Sequence, residues 1–101
     1  MNVMELLTSA VEQNAADIFL IPGMPFSYKI GGRIIYQGDN RIMPDEMDKM
    51  ITEIYGLAKN RDMDKVQSHG DDDFSFAIPG VSRFRASVFR QRGSLAGIIR
   101  V

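Results

Sequence analysis

Val81-Ser-Arg-Phe-Arg-Ala-Ser-Val-Phe-Arg-Gln-Arg-Gly-Ser-Leu-Ala-Gly-Ile-Ile-Arg-Val101 reads as two extended strands joined by a tight turn. Phe84, Ala86 and Val88 alternate with Arg83, Arg85 and Ser87, the two-residue period of a strand with one apolar and one polar face. Gly93-Ser94 marks the turn, and residues 95–101 run back as the partner strand. The segment holds five arginines (Arg83, Arg85, Arg90, Arg92 and Arg100), no lysine and no acid. Taking those five from the chain's 12 basic residues leaves 7 in residues 1–80, against all 13 acidic ones, so a net of −6 faces +5. Arginine rather than lysine suits planar, bidentate capture of carboxylate or phosphate. On the residues alone, two readings of the stretch stand side by side. One is a wet sheet face whose arginines keep it soluble, and the other is an anion site.

Just upstream, Phe74, Phe76 and Ile78 alternate with Ser75 and Ala77, and Pro79-Gly80 supplies a turn, so the last three strands form a meander. His69-Gly70-Asp71-Asp72-Asp73 precedes them and is read as a solvated acidic turn entering the strand. A metal site is the sharper reading of that motif. Adjacent strand residues point to opposite faces, however, so three consecutive carboxylates do not converge on one ion.

The first half carries the helices. Val3, Leu6, Leu7, Ala10 and Val11 keep one helix face, with Asn14 as a left-handed stop. Residues 17–21 and 26–30 read as strands, and Gly31-Gly32 as a tight hairpin into the strand Arg33-Ile-Ile-Tyr36. Pro44, Asp45 and Glu46 start a second helix whose apolar stripe is Met47, Met50, Ile51, Ile54 and Tyr55, with Gly56 as its end. A third short helix is expected over residues 59–67 with Met63 and Val66 inward. The order is helix, three strands, two helices, three strands. It predicts an α+β domain: a PAS-like antiparallel sheet of about six strands with helices packed on one face.

At 101 residues the chain makes one domain, and its 45% apolar and 25% charged content is ordinary for a globular protein. With no cysteine there is neither a disulfide framework nor a thiolate site. No apolar run reaches the roughly 18 residues of a membrane span. Acidic Glu5 stands where a signal peptide wants basic residues. A net charge of −1 argues against a dedicated nucleic-acid surface, and Phe84, the aromatic best placed to stack a base, faces the core side. A single histidine and the lack of a Walker A or Gly-x-Ser-x-Gly sequence leave no catalytic constellation. The chain is therefore read as non-enzymatic by itself. The closing Ile98-Ile99-Arg100-Val101 looks like a strand without an exit, which points to a piece of a longer protein.

A set of short motifs in order carries a family resemblance: Ala16-Asp17-Ile18-Phe19-Leu20, Pro22-Gly23-Met24-Pro25, Lys29-Ile30-Gly31-Gly32, Asp73-Phe74-Ser75-Phe76, Pro79-Gly80-Val81-Ser82-Arg83-Phe84-Arg85 and Gln91-Arg92-Gly93. Together they resemble the N-terminal domain of type IV pilus motor ATPases of the twitching, or retraction, type, within the type II/IV secretion ATPase superfamily. The resemblance spans nearly all 101 residues. It implies a PAS-like domain ahead of a RecA-like ATPase domain, assembled as a cytoplasmic homohexamer at the inner face of the membrane. The partners it implies are that ATPase domain, neighbouring subunits and the pilus inner-membrane platform protein, with no nucleic acid. It also implies that Arg85, Arg92 and Arg100 contact the phosphates of ATP, bound with magnesium on the ATPase domain and not by the isolated domain. Phe19 and Ala16 depart from the histidine and serine usual in the family's Ser-Asp-Ile-His-Leu motif, which leaves Asp17 as the polar member of that stretch. The reading from another class is a stand-alone PAS-like sensor holding a small ligand in an apolar pocket of its own.

Overall fold

The sequence periodicities translate directly into elements, and the computed structural model describes residues 2–101. Helix α1 covers Val3–Glu12, and the Asn2 side chain caps it by accepting from the Glu5 amide at 2.8 Å. Strands β1 (Asp17–Leu20), β2 (Ser27–Ile30) and β3 (Arg33–Tyr36) follow, then helices α2 (Pro44–Leu57) and α3 (Asp64–His69). Strands β4 (Asp71–Ile78), β5 (Ser82–Gln91) and β6 (Ser94–Arg100) close the chain.

All six strands form one antiparallel sheet in the order β3-β2-β1-β6-β5-β4. Two three-stranded meanders thus meet along the first and last strands, with α2 and α3 in the connection between them. The helices bury one sheet face: Val3, Leu6, Leu7, Met47, Ile51, Ile54 and Val66 pack with Ile18, Leu20, Tyr28, Phe84, Val88 and Ile99. This is the α+β arrangement expected from the element order. Helix α2 runs so close over β6 that a Cβ on Gly97 would stand 3.2 Å from Ile51 Cδ1, which is why a residue without a side chain fits there. Tyr28 ties α1 to the sheet, its hydroxyl donating to the Leu6 carbonyl at 2.7 Å in the core. Tyr28→Phe is therefore expected to cost about 1 kcal/mol by leaving that buried carbonyl unpaired, read as a lower midpoint in urea with an unchanged slope.

Four details differ from the sequence reading. Helix α2 passes through Gly56 to Leu57, because Leu57 still packs on the core and the left-handed turn falls on Lys59 and Asn60, with φ of 59° and 54°. Those two conformations also prevent α3 from starting at 59; it begins at Asp64, whose amide is capped by Asp62 at 2.9 Å. The last turn centres on Arg92-Gly93 rather than Gly93-Ser94, both with positive φ of 53° and 81°, and Ser94 already belongs to β6. Finally, Asp71, Asp72 and Asp73 are not a solvated turn but the first residues of β4.

Strand alternation sends Asp72 to the helix-covered face, where it is only 1% exposed. It is held there by Arg61, whose Nε donates to Oδ2 and whose Nη2 donates to Oδ1, both at 2.9 Å. The Tyr55 hydroxyl donates to the same carboxylate at 2.9 Å, and Lys65 Nζ stands 3.9 Å away. The Arg61 guanidinium holds the Asp72 carboxyl below the usual carboxylate range, against the burial that pushes it up, and Tyr55 assists. Burial, reinforced by Asp72, pushes the Tyr55 phenol well up. Arg61 also lies 5.0 Å above the Phe74 ring. The network clamps the α2–α3 connection onto the sheet.

Candidate functional site

The sheet face opposite the helices is where the arginines come together. Partnered residues share a face, so the registers define rows across the sheet. One row runs Ile34, Lys29, Asp17, Arg100, Arg85, Ser75, and the next runs Tyr36, Ser27, Phe19, Ile98, Ser87, Asp73. Arg85 and Arg100 are thus directly opposite each other on the adjacent strands β5 and β6. Like charges at directly opposed positions are unfavourable in a sheet, so packing alone gives no reason to choose them. Asp17, across on β1, offsets one of them: its Oδ1 is 3.5 Å from Arg100 Nε. That contact is long and made by an Arg100 side chain that is 77% exposed, so it contributes little stability. Among the described residues Arg85 has no ion-pair partner.

Two shallow depressions flank this pair. One is lined by Asp17, Asp73, Arg85, Ser87, Ile98 and Arg100, the other by Ser75, Arg83, Phe84, Arg85, Arg100 and Val101. Arg85 and Arg100 line both, so their planar donors are available to a ligand in either. Strands hold both backbones, which suits a site that needs fixed donor positions. The donor set fits an anion with several oxygens. Each guanidinium can grip two oxygens at once, and such a ligand would compete with the single long contact from Asp17 for Arg100.

The fold is shared with proteins already known. The pilus retraction motor PilT, in a crystal structure with bound ADP, superposes with a TM-score of 0.84 at 36% identity, covering all of this chain and 29% of that one. The chain is a PilT-like N-terminal domain. In Pseudomonas aeruginosa, the type IV pilus retraction ATPase PilT is 28% identical over 100 residues, matching 99% of this chain and 28% of its own length. The type IV pilus ATPase PilU of the same organism is 27% identical over 96 residues, matching 95% of this chain and 24% of its own. The ATPase DotB of Legionella pneumophila, at 22% identity and a TM-score of 0.74, shares the fold. The chain thus spans about a quarter of the length of the curated relatives it matches. No protein-family profile matches it.

Within this PilT-like domain the three arginines singled out from the sequence do not share one place. Arg85 and Arg100 are neighbours, whereas Arg92 occupies the β5–β6 turn at the far end of the hairpin, beside a groove lined by Ile21, Pro22, Met24, Gln91 and Ser94. The intervening strand length puts roughly 23 Å between Arg92 and Arg85 at about 3.3 Å per residue. Arg83, which is not among the three arginines that the resemblance implies, lines the depression with Arg85 and Arg100. Its spacing of two from Arg85 was the signal, since both point to one face. His69 is exposed at the end of α3, and Asp71 and Asp73 face away from Asp72. Among the described residues no three of these groups come close enough to share a metal ion. The depression a sensor domain would favour, lined by Phe26, Gln37, Gly38, Asn40, Arg41, Ile42, Glu46 and Met50, lies between the β3–α2 loop and α2 rather than inside the apolar core.

Proposed function

We propose that this is the PAS-like regulatory and oligomerisation domain of a hexameric pilus-retraction ATPase, and that it supplies arginine donors to ATP bound on a neighbouring ATPase domain. One observation carries the reading: Arg85 and Arg100 stand directly opposite one another on central strands, an arrangement the sheet itself does not favour. An arriving phosphate turns the unfavourable pair into a matched site, with Arg85 free to grip it and Arg100 exchanging Asp17 for it. Arg92 enters as a contact to a different subunit or a different nucleotide, given its separation along the hairpin. Magnesium would arrive with the nucleotide and be held by the ATPase domain; bound there, the pair supplies the charge that the arginines recognise.

Because both arginines sit on paired strands of one sheet, a force on the phosphate contact is transmitted to the domain as a body. That is the link between the site and a motor's movement. The implied partners are the RecA-like domain of the same protein, neighbouring subunits and the inner-membrane platform protein, with the assembly in the cytoplasm at the membrane's inner face. Among the described residues, no helix is long and apolar enough to cross a membrane.

Half a site should bind poorly. Titration of ATP-magnesium into the 101-residue chain by calorimetry is expected to show no saturation below the millimolar range. Sub-micromolar binding would overturn the reading, because the domain would then hold the nucleotide by itself.

A further inference from the structure

The two edges of the sheet are treated in opposite ways. Strand β4, at one edge, carries exposed Asp71 and Asp73, charges that discourage pairing with another chain. Strand β3, at the other edge, is Arg33-Ile-Ile-Tyr36 and is exposed along its whole length. Ile34 is 58% exposed, Ile35 42% and Tyr36 52%, a run of three large apolar side chains on an uncovered edge. It has no proline to block a further strand, and its one charge, Arg33, is exposed at the hairpin end of the strand beside Gly32. Its backbone is also available. The Gln37 amide donates to Phe26 of the strand β2 side at 2.9 Å, and alternation along the ladder then turns Arg33 and Ile35 toward β2. The N–H and C=O groups of Ile34 and Tyr36 are left pointing outward.

We infer that β3 pairs antiparallel with β3 of a second copy of this chain, about a two-fold axis at Ile35. The occupant follows from the strand's own pattern. Partners in a pleated sheet share a face, so a two-fold pairing centres on a residue and not between two. Centred on Ile35, it places Ile35 against its own copy on the helix side and Ile34 against Tyr36 of the other copy, twice, on the open side. Those are β-branched and aromatic cross-strand pairs, which stabilise a sheet. The outward groups of Ile34 and Tyr36 meet in this register as hydrogen-bonded pairs. Arg33 falls opposite Gln37, which keeps the two copies of Arg33 apart. Centring on Ile34 would set Ile35 against Arg33 and Tyr36 against Gly32; centring on Tyr36 would set Ile35 against Gln37 and Ile34 against Gly38. The strand is therefore complementary to itself in one register. Four residues a side make a small contact, so the association is weak and concentration-dependent. It is an isologous contact on the edge away from the arginine pair, and it stands whether or not the nucleotide reading holds.

The chain has no cysteine, which makes a cross-link diagnostic. At the axis, Ile35 and its copy form a non-hydrogen-bonded pair with Cα atoms about 4.5 Å apart, within reach of a disulfide. Under mild oxidation Ile35→Cys is expected to yield predominantly a covalent dimer. Ile34→Cys and Tyr36→Cys alone remain largely monomeric, and the double variant Ile34→Cys/Tyr36→Cys dimerises again. In sedimentation equilibrium the native chain shows concentration-dependent dimer, and Ile35→Lys loses it while keeping the native melting temperature. Equal cross-linking of all three single variants, cross-linking of none, or self-association that survives Ile35→Lys would each overturn the inference.

Discussion

Replacing Arg61 by alanine is expected to lower the melting temperature of this domain by roughly 10–15 °C. Asp72 lies on the covered face of β4 with its side chain fully buried, and Arg61 supplies two of its three hydrogen bonds. Removing one partner of a buried pair commonly costs about 3–5 kcal/mol. Arg61 is itself 39% exposed, so solvent screens part of the interaction, and about 2–3 kcal/mol is the better figure. Asp72→Asn should cost less, since an amide oxygen still accepts from Tyr55 and the released guanidinium reaches water. The double variant should then lose less than the sum of the two, because each single change removes the same interaction.

The pH dependence of this pair has a definite sign. The folded pKa of Asp72 is depressed relative to an unfolded aspartate at about 3.9. The stabilisation is accordingly complete above the unfolded value and fades as pH falls below about 4 toward the folded value, with no change expected between pH 5 and 8. Thermal melts of native and Arg61→Ala chains at pH 7 and pH 3 check both statements. Their difference should shrink at the lower pH, and a difference that grows would contradict the assignment.

This network also marks where sequence reading stopped. The β5 strand was legible because Phe84, Ala86 and Val88 alternate without interruption, and α2 because Met47, Ile51, Ile54 and Tyr55 recur at helical spacing. The β2–β3 hairpin was legible from Gly31-Gly32, which adopt the positive φ values that the turn demands. Asp72 was not. Its burial depends on partners 11 and 17 residues away, and in the sequence it is one of three identical aspartates. The β1–β6 pairing was hidden for the same reason: it joins Asp17 to Arg100 across 83 residues, and no local periodicity reports a neighbour that distant. The arginine cluster was visible as composition, but its division into an Arg85–Arg100 pair and a remote Arg92 came only with the register.

The pair makes the second large prediction. In a parent protein of the proposed kind, with an ATPase domain following this one, Arg85→Ala or Arg100→Ala is expected to cut ATP turnover by on the order of tenfold to a hundredfold. The upper end of what one preorganised donor contributes is larger, but on the proposed reading these side chains act from outside the domain that holds the nucleotide, and Arg100 starts from an exposed position. Lysine should recover part of the loss at either position and not all of it, because it keeps the charge and loses the two-pronged grip. Arg90, exposed on β5 outside both depressions, provides the control that leaves turnover unchanged. Asp17→Asn frees Arg100 from its carboxylate contact and separates placement from charge. The decisive measurement is steady-state ATP hydrolysis by the parent protein and its Arg85→Ala and Arg100→Ala variants, each matched for assembly and melting temperature. The account predicts that both variants fall at least roughly tenfold. Native turnover in both would contradict it.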